Sequence, residues 1–392
     1  MILEPLYETE LAVLRNVLWG EPLNLPEDLD DDALWRELQL QAVDGLASAA
    51  AWPQSVPEET RKEYERRHLM WGMQFYRYLY AQEQLLELLA DHGIPVIILK
   101  GTAAAISYPE PELRNMGDID FLVSEDHYIR TYEILASNGY ALSEPIDSAE
   151  KHISLNKSGV SFELHRNFGT ITDPKLQQVM KRQLAFALTH RAEAVCRGSN
   201  FPIAPVLQNG LLLLQHAAQH MYEGIGLRHA IDWMMYVHKY LDDAFWESSF
   251  QAAAAELGLA HFAMILTAMC RRYLGLPDDL TWCEEGDKSA YHLMAYILEH
   301  GNFGRKMDTD SHDAQVRLNH GIGGLFRALQ KSGMRHWKAA KKYKILRPFA
   351  WIFGGVYYVG VLIRRRHGIA ALSEDLKASR QARGLFEELQ LP

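Results

Sequence analysis

Short apolar segments near the middle of the chain constrain the fold most, because they interrupt a sequence that is otherwise helical in pattern. Residues 95–99 (PVIIL) and 119–123 (IDFLV) are rich in β-branched and apolar side chains. Short apolar runs beside glycine or proline are typical of buried strands. Residues 152–155 and 160–165 flank the turn NKSG and predict a hairpin. We therefore expect a small mixed α/β core over about residues 93–170.

Helical periodicity dominates on both sides of this core. Residues 60–91 predict one long helix, which ends at His92-Gly93 because glycine readily takes the left-handed position after a helix. Its apolar residues near helical spacing predict a face that packs against neighbouring elements: Met70, Met73, Tyr76 and Tyr80, followed by the leucines of QLLELL at 84–89. From Asp173 onward the pattern is again helical, with apolar stretches at 207–223, 228–241, 250–274 and 288–299.

These patterns predict an α+β protein that is mostly helical, with a small mixed sheet flanked by helical regions. With 48% hydrophobic and 23% charged residues the chain has an average globular composition, which excludes a disordered or collagen-like chain. We divide it into an N-terminal helical region, the α/β core, a helical region that closes a cleft over the core, and a basic helical C-terminal region: 1–92, 93–170, 171–310 and 311–392.

Three carboxylates lie on the predicted core strands. Asp118 and Asp120 share one face of their strand because side chains alternate in β structure, and Glu163 lies on another strand of the same sheet. If those strands are neighbours, the three carboxylates converge. Carboxylates that lie so close together either have raised pKa values or hold a hard divalent cation between them. The alternative is structural: an acidic turn beside a strand, and a solvent-facing glutamate.

Basic and small residues precede the carboxylates at a strand-to-helix turn. Gly101 and Thr102 predict a loop whose backbone can approach phosphate, since glycine has no side chain and the first N–H groups of a helix donate to anions. Lys100 and Arg114 are candidate charge partners for a triphosphate. Taken singly, either could equally be an ordinary surface residue.

Three sequence blocks in order resemble the uncharacterised bacterial nucleotidyltransferases of the DNA polymerase β-like superfamily. The blocks are LKG at 99–101, RNMGDIDFLV at 114–123 and ELH at 163–165. The resemblance implies transfer of a nucleoside monophosphate from an NTP such as ATP, with two Mg²⁺ ions. It implies that Asp118, Asp120 and Glu163 are the catalytic and metal-binding residues, and that Gly101 and Thr102 hold phosphate.

Further candidates follow in the same order along the chain. His165 shares a strand face with Glu163 and is a candidate for the site. His216 and His220 stand four residues apart on one helix, as do Arg228 and Asp232 on the next. A hydrogen-bonded core histidine pair and a simple ion pair are the structural alternatives. This helical block also resembles the family, which implies that it helps hold nucleotide or acceptor.

The C-terminal part of the chain is strongly basic. Residues 314–373 carry twelve Lys or Arg residues and no Asp or Glu, so the rest of the chain carries −22 to give the net charge of −10. Within it, the apolar segment 348–363 is too short for an ordinary membrane-spanning helix. We favour core packing for 348–363, then peripheral contact of 338–366 with an anionic membrane, then a nucleic-acid surface, which no motif supports.

The predicted function is a Mg²⁺-dependent nucleotidyltransferase with an unidentified, anionic acceptor. The alternative is a non-catalytic nucleotide-binding or membrane-surface regulatory module that keeps the fold. Three cysteines without CxxC spacing indicate a reducing compartment, and the acidic N-terminus MILEPLYETE lacks the pattern of an export signal. We therefore expect a cytoplasmic enzyme, with peripheral membrane contact as an option.

Overall fold

The chain is mostly helical and is built around a seven-stranded mixed sheet, which confirms the predicted α+β class. The computed structural model describes residues 3–143, 152–168, 171, 173–283, 287–304 and 306, and then 326, 329–330, 332–334, 336–337, 339–340, 343–364 and 382–391. All statements below refer to these residues.

The sheet has the strand order β3-β4-β5-β2-β1-β7-β6. Its strands are β1 Val96–Leu99, β2 Ile119–Val123, β3 Ala141–Leu142, β4 His152–Lys157, β5 Val160–His165, β6 Ala192–Cys196 and β7 Ser199–Ile203. β1 runs antiparallel to β2, β2 runs parallel to β5, and β4 and β5 form the predicted hairpin. Two strands that are distant in sequence, β2 and β5, are therefore neighbours at the centre of the sheet.

Helices precede, interrupt and follow the strands. They are α1 Pro5–Trp19, α2 Asp31–Leu40, α3 Asp44–Ala47, α4 Glu58–Asp91, α5 Gly101–Ala105, α6 Tyr128–Ser137, α7 Pro174–Thr189, α8 Val206–Glu223, α9 Leu227–Tyr240, α10 Asp243–Phe245, α11 Gln251–Glu256, α12 Ala260–Leu274 and α13 Asp287–His300. A further helix covers Ala350–Arg364. The helix predicted at 60–91 is thus confirmed as α4.

Successive residues of a strand point to opposite sides of the sheet, and helices pack against both sides. In β2, Phe121 belongs to the apolar cluster that includes Phe75 and Leu79 of α4. Leu122, on the other face, belongs to the larger cluster formed with α8, α9 and α12. Asp120 alternates with Phe121, so it shares the face of Leu122 and points towards α8 and α9.

The apolar face that we predicted for α4 is wrong over its first part and holds at its end. Met70, Met73, Tyr76 and Tyr80 are exposed, by 62%, 74%, 50% and 63%. Two of the predicted leucines are buried, and the helix packs through them and a second set of side chains: Tyr64, Phe75, Tyr78, Leu79, Gln82, Leu85 and Leu89. Both sets have helical spacing, so periodicity alone does not identify which one meets the sheet.

Two other expectations are corrected outside the predicted core. The stretch after 173 is not helical throughout, because β6 and β7 form an antiparallel hairpin that joins β1 at the sheet edge. The segment 348–363 does not show the favoured core packing over its first half, since Phe349, Ile352 and Val356 are exposed by 54%, 47% and 67%. Side chains after Tyr357 in this segment lie outside the described residues, as do 365–381.

The N-terminal helices pack with helices that follow much later in the sequence. The indole N–H of Trp19 donates to the carbonyl of Leu274 at 2.6 Å, and the Gln41 amide donates to the carbonyl of Ile297 at 3.0 Å. Packing therefore crosses the predicted boundary at residue 92, and the division into four regions stays a prediction.

Candidate active site

The pairing of β2 with β5 brings the predicted carboxylates together. Asp120 stands directly opposite Glu163 in the parallel register. One oxygen from each of Asp118, Asp120 and Glu163 lies within 4.8 Å of the others. These are three hard oxygen donors on one rigid pair of strands, which is a donor set that suits Mg²⁺.

Two cationic or proton-bearing groups meet at Asp120. The Lys100 ammonium lies 2.6 Å from Oδ1 of Asp120, and Nε2 of His165 lies 2.9 Å from the same oxygen. Asp120 is 2% exposed, so this charge is neutralised inside the protein. The ammonium of Lys100 occupies a position on Asp120 at which a metal cation would also be stabilised.

The backbone at Lys100 is strained. Lys100 has φ 42° and ψ −137°, although positive φ values are uncommon for residues with a side chain. Such conformations persist where the surrounding structure holds them, and they cluster at functional sites. The strain lies between β1 and α5, at the turn that brings the ammonium onto Asp120.

The neighbouring aspartates differ in acidity because their surroundings differ. Burial, followed by the charge of Asp120, raises the pKa of Asp118 to about 6. Burial also opposes ionisation of Asp120, but Lys100 and His165 hold its pKa below the ordinary value. Burial opposes the charge of Lys100 as well, yet Asp120, Asp118 and Glu163 raise its pKa. Without a divalent cation, Asp120 thus carries the stable negative charge, and Lys100 is its counter-ion.

Glu163 lies between two histidines. His152 Nε2 is 3.5 Å from one carboxylate oxygen, and His165 Nε2 is 3.3 Å from the other. His152 was not among the predicted site residues. It stands opposite His165 in the β4–β5 register, so strand alternation applied to the hairpin identifies it as a neighbour.

The small residues after Lys100 do not both face the carboxylates. Thr102 is 2% exposed, and its hydroxyl donates to Oε1 of Gln82 in α4 at 2.6 Å. The predicted contact of this hydroxyl with phosphate is therefore not supported. Gly101 has φ 38°, and a side chain there would approach the carbonyl of Asp118 to 3.8 Å, so Gly101 is the member of the pair that lies against the carboxylate strand.

Arg114 and Asp232 are paired with each other, which departs from both roles predicted for them. Nε and one Nη of Arg114 donate to the two carboxylate oxygens of Asp232, each at 2.7 Å. The Tyr108 hydroxyl donates to the same carboxylate at 2.6 Å. The remaining guanidinium nitrogen of Arg114 donates to the carbonyl of Asn115 at 3.3 Å. All three guanidinium nitrogens of Arg114 are thus bonded within the protein and its side chain is 4% exposed, which does not favour contact with a triphosphate. Among the described residues, Asp232 forms its ion pair with Arg114 and not with Arg228.

Arg228 keeps unused donor capacity near the carboxylates. Among the described residues, its guanidinium makes one hydrogen bond, to the carbonyl of Asn115 at 3.4 Å, and its buried Nε has no partner there. Burial and the nearby charge of Arg114 lower its pKa, while Asp232 and Asp118 oppose that shift. An anion would stabilise this guanidinium, so Arg228 remains a candidate for binding phosphate.

The predicted histidine pair is part of a group of three. His216 and His220 lie with their Nε2 atoms 3.1 Å apart on α8, and His229 of α9 joins them. His216 also lies beside Phe168, with ring centroids 6.3 Å apart, and Phe168 lies beneath the ammonium of Lys100. The group is therefore adjacent to the carboxylate site. No spacing in the sequence linked His229 to the pair.

Comparisons with known proteins identify a family and one distantly similar structure. A model of the family described as uncharacterised nucleotidyltransferase matches residues 27–275. Among solved structures, the chain is similar to the antibiotic-resistance factor ANT(2'')-Ia, with 14% identity and a TM-score of 0.33 over 51% of this chain and 95% of that one. No curated protein matches the chain.

Proposed function

This chain belongs to the family of uncharacterised nucleotidyltransferases, and we propose that it transfers a nucleoside monophosphate from an NTP to an acceptor hydroxyl or phosphate. An oxygen of the acceptor would form a bond to the α-phosphorus while the bond to the bridging oxygen breaks and pyrophosphate leaves. The observation that carries the proposal is the convergence of Asp118, Asp120 and Glu163 within 4.8 Å at paired strands. ATP is the first nucleotide to test.

The carboxylate group fits Mg²⁺ by its donor chemistry. All three donors are carboxylate oxygens, and a protein cation, the ammonium of Lys100, already lies on one of them. Asp118 and Asp120 would hold the metal, with Glu163 completing the set. When bound, Mg²⁺ supplies neutralisation of the phosphate charge that develops during the displacement.

The chain's own residues supply the remaining functions. Glu163 is 24% exposed and lies between His152 and His165, so it is placed to accept the proton of an acceptor hydroxyl. Lys100 and Arg228 are the cations that would orient the triphosphate. Gly101 would let the backbone approach phosphate, since no side chain intervenes.

The test uses nucleotides labelled at the α-phosphate, together with Mg²⁺ and cell extract as the source of acceptor. Wild-type protein should transfer label, and the D118N and D120N variants should lose at least about 100-fold of the rate, as expected when charge stabilisation is removed from a transfer site. D126N, an exposed aspartate in the loop after β2, is the matched control and should retain activity. Transfer that survives both D118N and D120N would contradict the proposal.

A second candidate function concerns the helix Ala350–Arg364 and the residues before it. Ile345, Phe349, Ile352 and Val356 stand at helical spacing and are all exposed, by 80%, 54%, 47% and 67%. Within the described part of the chain, no single helix has the length and apolar character to cross a membrane, although one pair bent by 120°, Asp243–Glu256 with Ala260–Leu274, has them together. We propose that the exposed stripe, flanked in sequence by Lys344 and Arg364, contacts an anionic membrane surface from the cytoplasm.

Vesicle binding tests the membrane contact, and nucleotide binding then distinguishes a transferase from a purely regulatory module. Vesicles containing anionic lipid should retain the protein, salt should release it, and the I352E and V356E variants should bind more weakly. Y80E changes an exposed tyrosine of α4, so it is the control and should bind the vesicles normally. If calorimetry then finds no Mg²⁺-dependent nucleotide binding, the non-catalytic module is the better description.

A further inference from the structure

Three imidazoles converge between α8 and α9, beside the carboxylate site and separate from it. His216 and His220 come from successive turns of α8, and His229 comes from the first turn of α9. One ring nitrogen from each lies within 4.8 Å of the others. His220 and His229 are 3% and 2% exposed, so solvent does not satisfy these nitrogens.

Hydrogen bonds among the described residues do not account for all three rings. The Nε2 atoms of His216 and His220 lie 3.1 Å apart, a distance that suits one N–H···N bond. His229 is bonded at Nδ1, where it accepts the backbone N–H of Gly226 at 3.2 Å. Its Nε2 is buried and has no hydrogen-bond partner in the part of the chain that the structure describes. An unpartnered polar atom in such a place is costly unless a ligand occupies it.

The distances suit a metal ion bound by nitrogen. A tetrahedral ion with metal–nitrogen bonds of about 2.0–2.1 Å holds its ligand nitrogens about 3.3 Å apart. The Nε2 atoms of His216 and His220 are already at 3.1 Å, and the nitrogen of His229 needs a shift of roughly 1.5 Å or less from the 4.8 Å limit. Small rotations of the histidine side chains would supply this shift without moving the two helices.

The chemistry of the three donors indicates which class of ion would bind. The bond that Nδ1 of His229 accepts from the N–H of Gly226 requires a neutral ring, and the N–H···N contact between His216 and His220 requires a lone pair on one of those two rings. The group contains no carboxylate, and the ring of Phe303 lies 4.9 Å from that of His220. Neutral imidazoles bind Zn²⁺ and similar ions, whereas Mg²⁺ prefers the oxygen donors of the carboxylate site.

We infer that His216, His220 and His229 form a binding site for Zn²⁺ or a similar transition-metal ion, distinct from the carboxylate site. Three histidines leave the fourth position of a tetrahedral ion open. His216 is the least buried of the three and lies beside Phe168, on the side of Lys100. The open position therefore faces the carboxylate site, where an oxygen of an acceptor could complete the coordination.

Binding through Nε2 of His229 changes the protonation of that ring. A neutral imidazole that accepts at Nδ1 carries its proton on Nε2, and this proton must leave Nε2 before the metal binds there. The proton then sits on Nδ1, and the bond from Gly226 N–H is lost. One long hydrogen bond is exchanged for a metal–nitrogen bond, and metal binding becomes weaker as pH falls.

The test measures metal binding directly and needs no transferase activity. Untagged full-length protein is stripped with chelator and titrated with Co²⁺ and then with Zn²⁺. We expect one equivalent of Co²⁺ with the intense visible absorption of a tetrahedral site, displaced by one equivalent of Zn²⁺. A folded wild-type protein that gives no such spectrum overturns the proposal, whatever happens to any variant.

Variants distinguish this site from the other histidine-containing group. H220Q and H229Q should each weaken Zn²⁺ binding more than about 100-fold, since loss of even an outer partner costs 10–100-fold. H152Q is the matched control, because His152, Glu163 and His165 also form a group with metal-ligand spacing. Loss of Zn²⁺ in H152Q but not in folded H220Q and H229Q would overturn the assignment. D118N should retain Zn²⁺ binding and lose nucleotidyl transfer. The two measurements are independent, so a failure of the transferase proposal does not affect the test of the Zn²⁺ site.

Discussion

Arg114 and Asp232 form a buried two-point ion pair, with both N···O distances at 2.7 Å and side chains 4% and 3% exposed. They are separated by 118 residues in the sequence. The pair joins the segment before β2 to α9, and the hydroxyl of Tyr108 donates to the same carboxylate. It thereby fixes α9, which carries Arg228 and His229, against the strand that carries the carboxylates.

The first prediction concerns this pair. R114M or D232N should destabilise the protein by about 3–5 kcal/mol, because each leaves one buried charge or donor without its partner. The double variant R114M/D232N should cost less than the sum of the two single changes. Urea unfolding of the four proteins measures the coupling. R182M, at the exposed pair Arg182–Glu256, is the control and should cost about 1 kcal/mol or less.

The second prediction concerns competition between Lys100 and a divalent cation. K100M removes the ammonium that lies 2.6 Å from Asp120, so the negative charge of Asp120 becomes fully available. We expect Mg²⁺ to bind about tenfold more tightly in K100M, while the transfer rate falls because the triphosphate loses a cation. Calorimetry with Mg²⁺ measures the first effect. K62M, on the exposed part of α4, should change neither, and an unchanged Mg²⁺ affinity in K100M would refute the competition.

The third prediction concerns a buried carboxyl in α1. Burial, opposed by Lys306, raises the pKa of Glu10 to about 8, and neither of its side-chain oxygens has a hydrogen-bond partner among the described residues. Above its ordinary pKa of 4.5 the unfolded chain releases this proton while the folded protein retains it. Folding stability should therefore fall as pH rises from about 4.5 to 8, by roughly 1.4 kcal/mol for each unit of difference.

The substitution E10Q isolates this effect. It should remove most of the loss of stability between pH 5 and pH 8, seen in thermal unfolding at a series of pH values, because the amide does not titrate. E8Q, at an exposed position of the same helix, is the control and should keep the wild-type slope. A slope for E10Q equal to that of the wild type would contradict a raised pKa at Glu10.

The fourth prediction compares two helical glycines. A side chain at Gly210 of α8 would lie 2.3 Å from the ring of Tyr236 in α9, whereas nothing lies within 4 Å of the corresponding position at Gly72 of α4. G210A should destabilise the protein by about 1–3 kcal/mol through overpacking, and G72A should stabilise it by roughly 0.5–1 kcal/mol through the better helix propensity of alanine. Opposite signs in denaturant unfolding are the expected result. Equal effects would indicate that α8 and α9 do not pack this closely.

The carboxylate site was largely predictable from sequence, and its surroundings were not. Alternation along a strand placed Asp118 and Asp120 on one face, and the only further assumption was that β5 lies next to β2, which the structure confirms. Arg114 was assigned to phosphate because the basic residue nearest the aspartates suits that role. Its actual partner, Asp232, lies in another element, and no local pattern connects the two residues.

The two errors of fold have physical causes as well. On α4, two sets of apolar residues share helical spacing, and only the position of the sheet decides that Phe75 is buried while Met73 is exposed. The hairpin of β6 and β7 was not predicted because the sequences of these strands, AEAVC and SNFPI, mix charged, polar and apolar residues and include a proline. Such edge strands acquire their structure from pairing with the sheet more than from their own preferences.

The parallel pairing of β2 with β5 also sets an order of events for the nascent chain. Asp118 and Asp120 leave the ribosome well before Glu163, and β5 must be synthesised before it can add to β2. Helices α8 and α9, which bring Arg228 and the three histidines, are synthesised later still. A translation product that stops between β2 and β5 therefore contains both aspartates without their partner strand, and the emerging chain acquires a complete carboxylate group only at the moment when the centre of its sheet closes.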